Sequence, residues 1–140
     1  MAGVGKVFIS HAHEDNALCI PLMGALSAWE IDYFFDPSLP DPSHPMSSLT
    51  QRALIECHIF LRICTPYTQR SARMSQETAA FRTLQAQESR SWQSRRALIS
   101  IILDPGYERE PFDNATILID SNPASPRSRV VCSSLNPSHA

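Results

Sequence analysis

Strand-length apolar runs alternate with helix-length amphipathic segments along most of this chain, and that alternation narrows the fold more than any other feature. Ala97–Leu103 is the most apolar run. Its flanks, Arg96 and Asp104-Pro105-Gly106, limit it to the length of a strand, and it reads as a central strand buried on both faces. Val7–Ser10, Ile31–Phe35, Ile59–Cys64 and Thr116–Ile119 read as the other strands. Helices are expected between them, over about 16–30, from Ser47 or Ser48 to Cys57, and over 71–92. Strands alternating with helices call for a parallel sheet covered on both sides. Right-handed crossovers then give an α/β, flavodoxin-like three-layer sandwich around a central parallel five-stranded sheet.

Each boundary has a local cause. Asp15 or Asn16 is placed to cap the first helix, whose apolar positions are Leu18, Leu22, Leu26 and Trp29. Pro21 falls in its second turn, where it distorts the first hydrogen bonds without ending the helix. Trp29 and Trp92 are read as packing residues. Residues 37–45 hold four prolines, which excludes helix and central strand there. In the third helix Met74, Thr78, Phe81, Leu84 and Gln85 form one stripe. After Asp120 the sequence is rich in Ser, Pro and Asn, so the chain divides into a domain over 1–120 and a linker or flexible tail over 121–140.

The 140 residues suit one domain, and 43% hydrophobic content is enough for one core. A net charge of −2 does not point to nucleic acid as a direct partner. The four cysteines, Cys19, Cys57, Cys64 and Cys132, form no CxxC pair and read as reduced core thiols. No apolar run has the length of a membrane span and no signal-peptide pattern opens the chain, so a cytoplasmic location and no membrane partner are expected.

In a parallel α/β sheet ligands bind outside the carboxyl ends of the strands. Three polar groups fall there: Ser10-His11-Ala12-His13 after the first strand, Asp36 after the second, and Thr65–Glu77 after the third. Their convergence is what a ligand site requires. The string His11-Ala12-His13-Glu14-Asp15 also has the H-x-H-x-D form of half a dinuclear zinc site. Asn16 stands where that pattern needs a further histidine, and the remaining histidines are scattered, so no metal site is expected.

These same segments resemble the Toll/interleukin-1 receptor (TIR) domain family, in particular its bacterial NAD-hydrolysing members. Phe8-Ile9-Ser10 matches the first family box, and Tyr33-Phe34-Phe35-Asp36 its second strand and the acidic residue opening the long loop. Pro37–Met46 occupies the place of that loop. Ile59–Thr65-Pro66 resembles the hydrophobic strand and S-P, and Ser71-Ala72-Arg73-Met74-Ser75-Gln76-Glu77 the S-x-W-C-x-x-E segment. The resemblance spans residues 6–120. It implies an NAD⁺ glycohydrolase with NAD⁺ as substrate and no cofactor. Glu77 would be the catalytic carboxylate, and Ser10, His11, His13, Asp36, Met46 and Arg73 would line the dinucleotide site. It further implies activation by self-assembly with other TIR domains, a sensor domain or partner outside this chain, and a role in antiphage defence or cell-death signalling. Two positions depart from the pattern: Arg73 stands where Trp is usual, and His13 where several active relatives carry Arg. A non-catalytic TIR adaptor is the rival reading, and a nucleoside-processing enzyme of similar topology a third.

Overall fold

A computed structural model describes residues 6–39, 46–88 and 96–103 in full, and the backbone of 115–119 and 128–132. Six strands form one sheet: β1 (Lys6–Ser10), β2 (Tyr33–Phe34), β3 (Cys57–Cys64), β4 (Ala97–Ile102), β5 (Ala115–Ile119) and β6 (Ser128–Cys132), in the order β2-β1-β3-β4-β5-β6. The first five are parallel, and β6 runs antiparallel to β5 at the edge. The order of the parallel strands is that of a flavodoxin-like fold. The sheet therefore has six strands where five were expected. The sixth lies within the stretch read from composition as a tail. Its apolar content is only Val130-Val131-Cys132, too short to stand out among Ser, Pro and Arg.

Strand alternation sorts the side chains to two faces. Phe8, Phe60 and Leu98 point to the side covered by α2 (Ser48–Glu56) and α3 (Ala72–Glu88), where Ala53, Leu54 and Phe81 join them. Phe8 stacks on Phe60 at 5.3 Å between ring centroids, and Phe60 meets Phe81 at 5.0 Å. Aromatic pairs of this kind contribute about 0.5–1.5 kcal/mol each beyond their burial. Val7, Ile9, Leu61 and Ile63 point the other way, against Cys19 and, on α1 (Ile20–Ala28), Leu22, Met23 and Leu26. In β4, Leu98, Ser100 and Ile102 are buried while Ala97, Ile99 and Ile101 are half-buried, so only one face of that strand is fully enclosed.

The first helix differs from its expectation. His13–Cys19 forms a 3-10 helix, and the α-helix begins only at Ile20, with Pro21 in its first turn. Proline has no N–H to donate and crowds the carbonyl four residues back, so it opens an α-helix better than it continues one. Neither Asp15 nor Asn16 caps that helix, because both side chains are used elsewhere. Trp29 is 79% exposed, contrary to its reading as a packing residue, and no residue of α1 is buried. Trp92 lies outside the described residues.

The second helix is capped as its sequence predicts: the Ser47 hydroxyl accepts from the Thr50 N–H at 3.1 Å. It passes directly into β3 at Cys57, leaving no loop to satisfy its last carbonyls. Arg96 does so, donating to Leu54, Cys57 and Ile55 carbonyls at 3.1, 2.8 and 2.9 Å while pairing with Glu88. The third helix is described to Glu88, and 89–92 lie outside the described residues. Cys19, Cys57 and Cys64 are buried, and none of them forms a disulfide among the described residues. Burial pushes the Cys19 and Cys57 thiols up to about 11, so neither is a nucleophile at neutral pH. Among the described residues no helix is long and apolar enough to cross a membrane.

Candidate functional site

The rows of the sheet change from apolar to polar at its carboxyl end. Phe8, Phe60 and Leu98 are neighbours in one row; two residues on, the row is Ser10, Arg62, Ser100 and Thr116. Helix α3 changes in step. Phe81 sits over the apolar row, Glu77 lies one turn earlier, and Arg73 one turn earlier again, all three buried on one face. This match carries Glu77 to Ser10. The Ser10 hydroxyl donates to Glu77 Oε1 at 2.8 Å, and both residues are buried.

Burial raises the Glu77 carboxyl to about 7, against the Ser10 hydrogen bond and the Arg73 guanidinium, which favour the ionised form. A carboxyl poised there exists in both protonation states at neutral pH, as an acid, a base or a switchable charge requires.

The other predicted residues gather around this pair to different degrees. His11 is buried and stacks on the Phe35 ring at 4.5 Å. Its Nε2 lies 2.6 Å from Asn16 Oδ1, while Asn16 Nδ2 donates to the Pro37 carbonyl at 3.0 Å. Because the amide nitrogen serves Pro37, the amide oxygen accepts, and His11 carries its proton on Nε2. Burial lowers the His11 pKa, with Arg73 acting in the same direction against the Asn16 hydrogen bond, so the ring is neutral at pH 7. Asp36 is half-buried, and its Oδ1 accepts from the Ser38 N–H at 2.9 Å and the Ser38 hydroxyl at 2.6 Å. Burial would raise its pKa; the Ser38 bonds, Arg73 and His11 outweigh that and lower it. Arg73 Nη1 donates to the Ser38 carbonyl at 2.7 Å. The first residues of the proline-rich loop are thus held to the site at Pro37 and Ser38.

His13 stands at the margin, half-buried, with Nδ1 3.5 Å from Asn16 Nδ2. Met46 packs against the cluster of Phe8, Leu54 and Phe60. Ser10, His11, Asp36, Arg73 and Glu77 are therefore linked by hydrogen bonds or electrostatic coupling, and Met46 belongs to the core beside them. Residues 40–45 of the loop lie outside the described residues. Among the described residues no three His, Cys, Asp or Glu side chains are grouped as a metal ion would need.

Asn16, Phe35 and Ser38 were not read from the sequence as site residues, yet they contact His11, Asp36 and Arg73. The Thr65 hydroxyl also donates to buried Asp15, tying the end of β3 to the segment after β1.

The TIR domain family matches residues 7–128. This chain belongs to the TIR domain family. That match extends past the boundary at 120 and includes the start of β6. Among solved structures, the TIR domains of the activated Roq1 resistosome, described as directly recognising the pathogen effector XopQ, align with a TM-score of 0.55 at 17% identity. The alignment covers 77% of this TIR chain and 60% of that one, less than two thirds of the longer protein. At that identity the likeness is one of fold. No curated protein matches the sequence.

Proposed function

We propose that this TIR domain hydrolyses NAD⁺ at the nicotinamide–ribose bond. The observation that carries the reading is the buried Ser10–Glu77 pair on the α3 side of the carboxyl edge of the sheet, its carboxyl poised near neutrality. In NAD⁺ the pyridinium is already a charged leaving group and departs as neutral nicotinamide. The C1′–N bond breaks with its electron pair going to the ring, and the ribose becomes oxocarbenium-like. The ionised Glu77 carboxylate stabilises that positive charge, and Ser10 fixes its orientation. Water adds at C1′ and loses a proton, so NAD⁺ and water give ADP-ribose, nicotinamide and H⁺. The reaction needs no metal or cofactor in this scheme. In this reading Asp36 orients the ribose, and His11, buried and stacked on Phe35, supports the wall behind it.

The same reading includes activation by assembly with other TIR domains, with the loop that begins at Pro37 tied to the site by Asn16 and Arg73. A sensor partner, a cytoplasmic location and a role in defence or cell-death signalling belong to it. The test is nicotinamide release from NAD⁺ by the chain clustered on beads, beside Glu77→Gln. Release lost in the variant supports the glycohydrolase. No release from either protein, with both folded, removes it.

One observation favours a scaffold instead. Leu18, Ile20 and Trp29 are exposed on and beside α1, apolar side chains that an assembly interface would cover. Self-association that depends on these residues, without NAD⁺ turnover, would identify an adaptor.

A further inference from the structure

We propose that Arg73 is a phosphate receptor, and that the ligand of this site must carry a phosphoryl group on the ribose that Glu77 engages. The inference rests on the glycohydrolase reading and adds a requirement: nucleotides are accepted and the bare nucleoside is not.

The Arg73 side chain is only partly used by the protein. It is 9% exposed; Nη1 serves the Ser38 carbonyl, and Nη2 is buried without a hydrogen-bond partner. Among the described residues Arg73 forms no ion pair within 4.0 Å. An unpaired donor on a buried cation is costly, and a guanidinium is shaped to give two parallel N–H groups to one phosphate or carboxylate.

Its position compounds the need for an anion. Arg73 lies in the first turn of a 17-residue helix, where the helix dipole is positive and a cation is disfavoured. The nearby acids, Asp36 and Glu77, act on it through space and not by direct pairing. Asp36 Oδ1 is engaged twice by Ser38, and burial keeps Glu77 largely neutral below pH 7. A helix N-terminus reinforced by a buried guanidinium with an open donor is built for an oxyanion.

The spacing suits a sugar phosphate. Arg73 and Glu77 are four residues apart on one helical face, about one 5.4 Å turn. That step is comparable to the span from the ribose hydroxyls to the 5′-phosphorus. With the ribose against Glu77, the 5′-phosphoryl group falls within reach of Arg73.

The test compares NAD⁺, nicotinamide mononucleotide and nicotinamide riboside as substrates of the clustered full chain, in wild type, Arg73→Gln and Arg73→Lys. The readout is the ratio of kcat/KM for each nucleotide to that for the riboside, which is internal to each protein and so corrects for partial loss of fold. Wild type is expected to favour the nucleotides by about a hundredfold, the scale of one charge-assisted phosphate contact. Arg73→Gln is expected to reduce that ratio at least tenfold, with Arg73→Lys between the two. An equal preference for the riboside in wild type, or an unchanged ratio in Arg73→Gln, overturns the proposal. Should no protein turn over any substrate, the glycohydrolase reading fails and calorimetric binding of ADP-ribose decides the receptor alone. Binding weakened tenfold or more by Arg73→Gln supports it; equal binding, or none to wild type, overturns it.

Discussion

Ser10 and Glu77 are 67 residues apart in sequence and 2.8 Å apart in space, joined by one hydrogen bond in a buried setting. That bond favours the ionised carboxylate, while burial favours the neutral acid more strongly. The balance has a consequence for stability. The folded pKa, about 7, is above the ordinary value of 4.5, so the native state holds a proton that the unfolded chain releases between these limits. Stability from this group is complete below about pH 4.5, falls as pH rises to about 7, and is constant above. Glu77→Gln keeps the shape and removes the titration. It is expected to exceed wild type by roughly 2–3 kcal/mol at pH 8 and to match it near pH 4.5. Urea unfolding at the two pH values measures this. A constant difference between the proteins would mean that the carboxyl is not held up by burial.

On the glycohydrolase reading, the same pair is expected to set the pH dependence of turnover. An oxocarbenium-like ribose needs the ionised carboxylate, so kcat/KM for NAD⁺ is expected to rise with pH through about 7 and level off above. Ser10→Ala removes the hydrogen bond that favours ionisation. The midpoint should then move up by about half to one unit, since one hydrogen bond is worth about 1 kcal/mol. A profile unchanged in Ser10→Ala would separate the bond from catalysis.

What the sequence made legible follows from range. The Ser47 cap, the positions of β1, β3 and β4, and the buried stripe of Met74, Thr78 and Phe81 rest on periods of two and 3.6 and on local capping, all visible within a few residues. The site residues could be placed on one rim because strand order fixes where strand ends lie. Side-chain partners could not. Arg62 is buried inside an apolar run, with Nη1 3.5 Å from the Ser100 hydroxyl, a pairing set by the register of β3 against β4. Asn16 looked like a cap but bridges His11 and Pro37 because Pro21 delays the helix that it would have capped. Met46 was placed by its position in a motif, and its packing against the cluster that contains Phe8 and Leu54 was not legible there.

Thr65 joins two of the rim segments. Its hydroxyl donates to Asp15 and accepts from the Tyr67 N–H at 3.2 Å, and both Thr65 and Asp15 are buried. Thr65→Val keeps the volume and deletes both bonds, leaving a buried carboxylate short of a donor. The expected cost is about 1–3 kcal/mol, read as a lower urea midpoint at pH 7. An unchanged midpoint would show that Asp15 finds a replacement donor.

Glu30 offers a change in the opposite direction. It ends α1 with φ of 59°, a left-handed conformation, while the Ile31 N–H returns to the Leu26 carbonyl at 2.9 Å and the Glu30 N–H to the Ser27 carbonyl at 3.0 Å. This is the position that helices usually give to glycine, because a Cβ there crowds the backbone at a cost of about 1 kcal/mol. Glu30 is exposed, so its side chain contributes little packing in return. Glu30→Gly relieves the strain, and the greater freedom of glycine in the unfolded chain offsets part of the gain. A net stabilisation of about 0.5 kcal/mol is expected, visible as a higher melting temperature with NAD⁺ turnover unchanged, since the residue lies at the far end of α1 from the 3-10 helix that follows the site. Glu30→Ala separates the two contributions: it keeps the Cβ and the strain, so it should show no such gain. An equal rise in both variants would trace the effect to the removed charge rather than to the backbone.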